Sequence, residues 1–122
     1  MVLADFERVL GQLHPNTLTT RSNLAAAYRA AGRVTEAVPL YEAVLADRLQ
    51  VLGAAHPHTL SSRGKLAQAY RDAGRLAAAM TLFEQEAVGL EIALGAGHPS
   101  AVKAREELAR TRALAQQQAD PG

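Results

Sequence analysis

The 122-residue chain contains no cysteine and no tryptophan, and its only isoleucine is Ile92. Without cysteine there is no disulfide framework, no thiolate metal site and no cysteine nucleophile. Neither sign of charge is in excess, because 13 basic and 12 acidic side chains leave a formal charge of +1. This balance argues against a nucleic-acid-binding protein, which usually carries a strongly basic face.

Long apolar runs are also missing. No segment approaches the ~18 consecutive apolar residues that a transmembrane helix requires, so we expect no membrane partner. Residues 1–8 carry charges too early and too often for a secretory signal peptide. These features are compatible with a cytoplasmic protein, which is the location we expect.

Alanine and leucine are abundant, with 26 and 17 residues respectively. Both are strong helix formers, whereas the β-branched and aromatic residues that favour strands are scarce. Apolar residues make up 48% of the chain, and its length is that of one domain or a piece of a larger one. The composition therefore predicts an all-α fold that buries a core without metals or disulfides.

A nine-residue segment that contains Leu-Gly-x-x-His-Pro occurs three times, at residues 10–18, 52–60 and 94–102. Both intervals are 42 residues long, and superposing residues 10–51 on 52–93 without gaps gives 18 identical positions. Repeats of this length are typical of solenoids, in which each unit buries its apolar face only by packing against its neighbours.

Each unit contains the signals for two helices, helix A and helix B. A His-Pro pair precedes helix A, and a glycine follows each helix. The array is expected to span residues 1–116, followed by a flexible tail at 117–122. The predicted helices cover residues 16–31 and 34–52 in the first unit, 58–73 and 76–94 in the second, and 2–10 and 100–116 in flanking half units.

Pro39 conflicts with the predicted start of helix B in the first unit. An interior proline costs about 3 kcal/mol, because it lacks an N–H and clashes with the preceding turn. Either the helix begins near Thr35 or Glu36, which would place Pro39 in the tolerant first turn, or the helix is kinked.

A helical wheel separates helix A into an apolar arc and a polar arc. The apolar arc is expected to form the core and contains Leu18, Leu24, Ala25, Tyr28 and Ala31. Three arginines also fall within this arc, at intervals of 42 residues. They form either structural ion pairs between helices or a ladder that binds an anion; they are Arg21, Arg63 and Arg105.

The pattern resembles the tetratricopeptide repeat, specifically the 42-residue form of kinesin light chains and many bacterial signalling proteins. The family's positions are matched twice, by Leu24-Ala25, Tyr28, Gly32, Ala37 and Tyr41, and by Leu66-Ala67, Tyr70, Gly74, Ala79 and Phe83. The resemblance implies an α-solenoid of helix-turn-helix repeats, with two full units at 16–52 and 58–94. Glu86 and Ala87 depart from Val44 and Leu45 of the first unit, so we expect the second helix B to pack differently.

The resemblance further implies a non-enzymatic scaffold that binds a protein or peptide through the concave face of its A helices. The alternative for each residue is a solvated polar surface without a ligand. Carried over residue by residue, the binding surface contains Thr19, Ser22, Asn23, Ala26, Arg29 and Ala30, then Ser61, Gly64, Lys65, Gln68, Arg71 and Asp72, and finally Lys103, Glu106, Glu107, Arg110 and Ala113.

Other functions find less support in the sequence. The histidines at 14, 56 and 98 recur directly before proline, which indicates capping or packing rather than catalysis. His56 and His58 are too few ligands for a metal, and no lysine-containing phosphate loop is present, so we expect neither cofactor nor metal. The alternative function is self-association, either as a homodimer through exposed terminal helices or as a regulatory arm of a larger bacterial signalling protein.

Overall fold

The computed structural model of the protein describes residue 11 and residues 13–119. These residues form α-helices and no strand, which confirms the predicted all-α fold. The helices are α1 (Pro15–Ala30), α2 (Val34–Leu52), α3 (Pro57–Asp72), α4 (Leu76–Leu94) and α5 (Pro99–Ala119).

The predicted helix limits differ from the structure at the A-type helices. Both B helices have the predicted limits, whereas each A-type helix begins one residue earlier, because its proline is the first helical residue. Helix α5 continues through residues 117–119, which were expected to belong to a flexible tail. The predicted helix over residues 2–10 and the last three residues of the tail lie outside the described residues.

Each A-type helix begins with a histidine cap. The Nδ1 atom of the histidine accepts a hydrogen bond from the backbone N–H two residues later, at 3.0–3.1 Å in His14, His56 and His98. This bond satisfies one of the free N–H groups of the first turn. The histidines therefore cap helices, as their position before proline predicted.

The A helices of both units end in the same Schellman motif. In the first unit, Gly32 has φ of 78° and its N–H bonds the Arg29 carbonyl at 3.0 Å. The Arg33 N–H bonds the Tyr28 carbonyl at 2.8 Å. The equivalent Gly74 has φ of 81°, a conformation that glycine adopts without steric cost. The same local chemistry therefore sets the turn of both hairpins.

The extensive helix–helix contacts join helices that are consecutive in the chain. The buried core runs along these interfaces and includes Tyr41 and its equivalent Phe83. Small buried residues such as Ala25 and Ala67 allow the helices to approach closely. This nearest-neighbour packing is that of an α-solenoid, as the repeat predicted.

Two members of the predicted apolar arc are exposed, and Tyr28 is half-buried. Leu24 is 47% exposed, whereas its equivalent Leu66 is 3% exposed. Helix α3 packs against both α2 and α4, whereas α1 packs chiefly against α2 among the described helices. Ala31 follows the last residue of α1 and is also exposed. The prediction failed at these positions because the wheel does not show which faces meet a neighbouring helix.

Pro39 is the sixth residue of α2, which begins at Val34. The alternative of a later helix start is therefore wrong. The missing N–H leaves the Thr35 carbonyl without its helical donor, and Pro39 itself is exposed to solvent.

The three repeated arginines join A-type helices to B helices. Arg21 donates to Asp47 on α2 at 3.3 Å. The Arg105 guanidinium bonds both carboxylate oxygens of Glu91, at 2.9 and 2.6 Å. A neutral partner is used in the second unit, where Arg63 bonds Gln85 at 2.6 Å. These contacts agree with the structural interpretation of the arginines.

No helix in the described part of the chain has the length and apolar character needed to cross a membrane.

Candidate functional site

A groove of about 520 Å³ lies between α3 and α5, and helix α4 forms its floor. We call it the α3–α5 groove. Apolar floor residues face polar walls, so the groove offers both apolar area and groups that can orient a ligand. It is lined by Pro57, Ser61, Gly64, Lys65 and Gln68 of α3, by Phe83, Glu86, Leu90 and Leu94 of α4, and by Ser100, Lys103, Ala104 and Glu107 of α5.

Part of the residue set predicted from the A helices lines this groove. The groove brings together Ser61, Gly64, Lys65, Gln68, Lys103 and Glu107. The sequence did not predict the floor residues, because the family resemblance places the binding surface on the A helices alone, whereas the floor belongs to a B helix. In the sequence, the departure at Glu86 predicts a packing difference but does not indicate a site.

The predicted binding arginines of the two units bridge neighbouring A helices. Arg29 of α1 bonds Asp72 at 2.5 Å and Gln68 at 3.2 Å, both on α3. Arg71 of α3 bonds Glu107 of α5 at 2.6 Å. These side chains therefore link the A-type helices of successive units.

Glu107 is the central residue of the second bridge. Its carboxylate is buried and accepts bonds from Arg71 and from Arg110, the latter at 3.1 Å. Thr111 lies one turn later and is also within 3.4 Å of the Arg71 guanidinium. A buried carboxylate with two arginine partners is a structural feature of this face.

The other carried-over residues lie outside the groove. Ser22 is buried, and its Oγ has no hydrogen-bond partner among the described residues. The expectation that Ser22 contacts a ligand is therefore wrong, because its side chain is not accessible. The remaining carried-over residues are exposed, and they are Thr19, Asn23, Ala26, Ala30, Glu106 and Ala113.

The Glu86 carboxylate occupies the space beside Gly64. A Cβ added to Gly64 would overlap the Glu86 carboxylate, so the glycine makes room for this side chain. The salt bridges among the described residues do not include Glu86. The floor of the groove thus carries an acidic group held close to the α3 backbone.

Burial raises the pKa of Glu86 to about 7. The charge of Lys103 opposes this shift and that of Glu107 adds to it, but desolvation is the dominant cause. A carboxyl group with a pKa near neutrality changes its charge within the physiological range.

We expect this carboxyl group to make the protein less stable as the pH rises from 5 to 8. The folded state binds the Glu86 proton more tightly than the unfolded state, so stability is highest when both states are protonated. The loss of stability should be about 2 kcal/mol. This is less than the full shift in pKa would give, because the groove leaves the carboxylate in partial contact with water. Urea unfolding of the wild type and Glu86→Gln at several pH values measures it.

The variant profile should be flatter than the wild-type profile over this interval. Glu84→Gln is the matched control, because Glu84 is an exposed residue of the same helix. Parallel profiles for the wild type and Glu86→Gln would contradict the raised pKa.

Other chemistry finds no support in the described segment. No group of three or more histidine, aspartate or glutamate side chains is placed there to hold a metal ion. The rings of His56 and His58 stack with their centroids 5.1 Å apart. His56 Nδ1 serves as the cap of α3.

Comparison with known proteins places this geometry in a family. Two crystal structures of a putative kinesin light chain from Podosopora anserina, with nearly identical tetratricopeptide-like repeats, are similar to this chain. One is a single-residue variant. Each is 38% identical, with a TM-score of 0.80 over 90% of this chain and 52% of the other.

The chain therefore spans about half the length of the solved structures it matches. A search of the curated proteins found no match. The family model for the tetratricopeptide repeat matches residues 16–86, which is more than half of the chain. Its helices, turns and repeat spacing agree with that match, and the chain belongs to the tetratricopeptide repeat family.

Proposed function

We propose that this chain is a non-enzymatic module whose α3–α5 groove binds a peptide segment of a partner protein. Tetratricopeptide repeats generally mediate interactions between proteins. The single observation that carries the proposal is the open groove, with Leu90 and Leu94 on its floor and Lys65 and Lys103 on its walls. Apolar area of this kind supplies affinity, and the polar walls orient the ligand.

The proposed surface is narrower than the one expected from the sequence. Arg29 and Arg71 form bridges between helices, so variants at these positions would disturb the packing as well as a ligand. Thr19, Asn23 and Glu106 lie outside the groove and are not part of the proposed surface. The cytoplasmic location expected from the sequence stays a prediction.

The test is selection from a random peptide library displayed on phage, with the wild-type chain as bait. Ser61→Trp should weaken the selected peptides at least tenfold, because Ser61 is exposed and lines the groove. Thr81→Trp is the matched control on an exposed position of α4 outside the groove. If Ser61→Trp weakens the binding of none of the selected peptides, or if no peptide is selected, the proposed function is wrong.

Self-association is the second candidate function. Apolar side chains are exposed on the first and the last described helix, namely Leu24 on α1 and Val102 and Leu114 on α5. A second copy of the chain that covers them would bury apolar area. Light scattering over a range of concentrations tests this candidate, and a monomer at every concentration would remove it.

A further inference from the structure

The first unit contains a buried arginine in the space that corresponds to the α3–α5 groove. Arg48 of α2 is 5% exposed. Its guanidinium bonds the Ser62 hydroxyl at 2.8 Å, with longer contacts of 3.4 Å to the His58 carbonyl and the Thr19 hydroxyl. Arg48 therefore fills the space between α1 and α3 and bridges these two helices.

The second unit lacks this arginine. The residue 42 positions after Arg48 is Leu90, which is shorter and has no donors. The positions equivalent to the three partners of Arg48 are Ser61, Ser100 and Ala104, and all of them line the groove. The groove is therefore the site that an arginine side chain fills in the first unit.

The second unit also contains a carboxylate where the first has none. Glu86 replaces Val44, and Gly64 replaces Ser22, which gives the carboxylate its space. In the first unit the contacts of Arg48 are with neutral oxygens only. The α3–α5 groove therefore contains the Glu86 carboxylate but no arginine equivalent to Arg48.

We propose that the α3–α5 groove binds one arginine side chain of the partner peptide, with the guanidinium in the position that Arg48 occupies in the first unit and paired with Glu86. This inference rests on the proposed function and names the chemistry of its ligand. The Ser61 hydroxyl and the Ser100 carbonyl provide oxygens at positions equivalent to Thr19 and His58. A planar guanidinium can use several such oxygens together, which an ammonium group does less well.

The other charged groups of the groove limit the ligand to a single basic residue. Lys65 of α3 and Lys103 of α5 line its walls and repel a run of basic residues. Glu107 of α5 is already paired with two arginines, so Glu86 is the acceptor that a ligand can use.

The pKa of Glu86 agrees with this assignment. Burial without an ion pair holds its pKa near 7, and a bound guanidinium would lower it. The other charged groups that face the groove are Lys65, Lys103 and Glu107. Binding should therefore tighten as the pH rises from 6 to 8, and the Glu86→Gln variant should lose this dependence.

The experiment uses the peptides selected from the random library described above. We expect those that Ser61→Trp weakens to contain an arginine. Each is synthesised with arginine or with citrulline, a neutral side chain of nearly the same shape, at that position. The wild type should bind the citrulline peptide at least tenfold more weakly than the arginine peptide. The Glu86→Gln variant should bind both peptides equally weakly.

A second variant tests the equivalence of the two units. Leu90→Arg introduces into the second unit the arginine that the first unit has at position 48. It should retain the fold and weaken the binding of the arginine peptide at least tenfold. Ile92→Arg is the matched control, because it adds the same charge to the same helix at a side chain that is 82% exposed.

The outcomes separate this inference from the proposed function. Groove-dependent peptides without arginine, or equal binding of arginine and citrulline forms, would overturn the inference and leave the proposed function in place. Peptides in which lysine replaces arginine without loss would also overturn it. Failure to select any groove-dependent peptide would overturn both.

Discussion

Replacing Phe83 with alanine is expected to lower the free energy of unfolding by about 3–5 kcal/mol. Phe83 is 1% exposed and belongs to the core between the helices of the second unit. Its ring also lies 5.2 Å from the Arg71 guanidinium, which adds a cation–π contact. The change removes apolar area and leaves a cavity, so it should consume much of the total stability of a domain of this size. Urea unfolding followed by circular dichroism measures the effect.

The control for this substitution is Ile92→Ala. Ile92 is 82% exposed on the same helix, and its truncation should change the stability by less than about 0.5 kcal/mol. A loss below about 1 kcal/mol for Phe83→Ala would show that the second unit does not depend on this core.

Arg71→Ala should be the most damaging charge change among the bridges of the A-type helices, with a cost of about 2–3 kcal/mol. The Arg71 and Glu107 side chains are 17% and 11% exposed, so removal of the guanidinium leaves a buried carboxylate short of a partner. Arg110 still contacts Glu107 at 3.1 Å, which keeps the cost below that of an isolated buried charge. Thermal and urea unfolding both measure it.

Arg29→Ala is the matched control, because Arg29 holds the same position in the first unit. Its partner Asp72 is 38% exposed, and a pair in contact with water contributes less than about 1 kcal/mol. Equal costs for the two variants would contradict the view that burial, and not the repeat position, determines the strength of the bridge.

The fold was largely predictable because local signals and the repeat agree. Glycine, histidine and proline mark the helix ends, and the limits of α2 and α4 were predicted to the residue. Leu24 shows where this reasoning stops. It has the same residue type and repeat position as Leu66, yet Leu24 is exposed and Leu66 is buried. Among the described helices, α3 packs against a helix on each side, whereas α1 packs chiefly against α2.

The site was less predictable, because the sequence comparison relied on what the two units share. Identical positions identified the scaffold, whereas the groove depends on positions that differ. Leu90 opens the space that Arg48 closes, and Gly64 admits the Glu86 carboxylate. Arg71 was expected to meet a ligand, but a carboxylate on the next helix binds it, and a wheel of one helix cannot show that.

The contrast between Arg48 and Leu90 has a consequence for longer arrays of such units. Helices pack on their sequence neighbours, so the residue at this position can change in one unit while the stacking of the others is conserved. Each such space lies between successive units, and under the proposed arginine binding it is either filled by the chain's own side chain, as at Arg48, or open to an arginine of the partner, as at Leu90. The residue at this position in each unit would therefore determine the order of filled and open sites along a longer array.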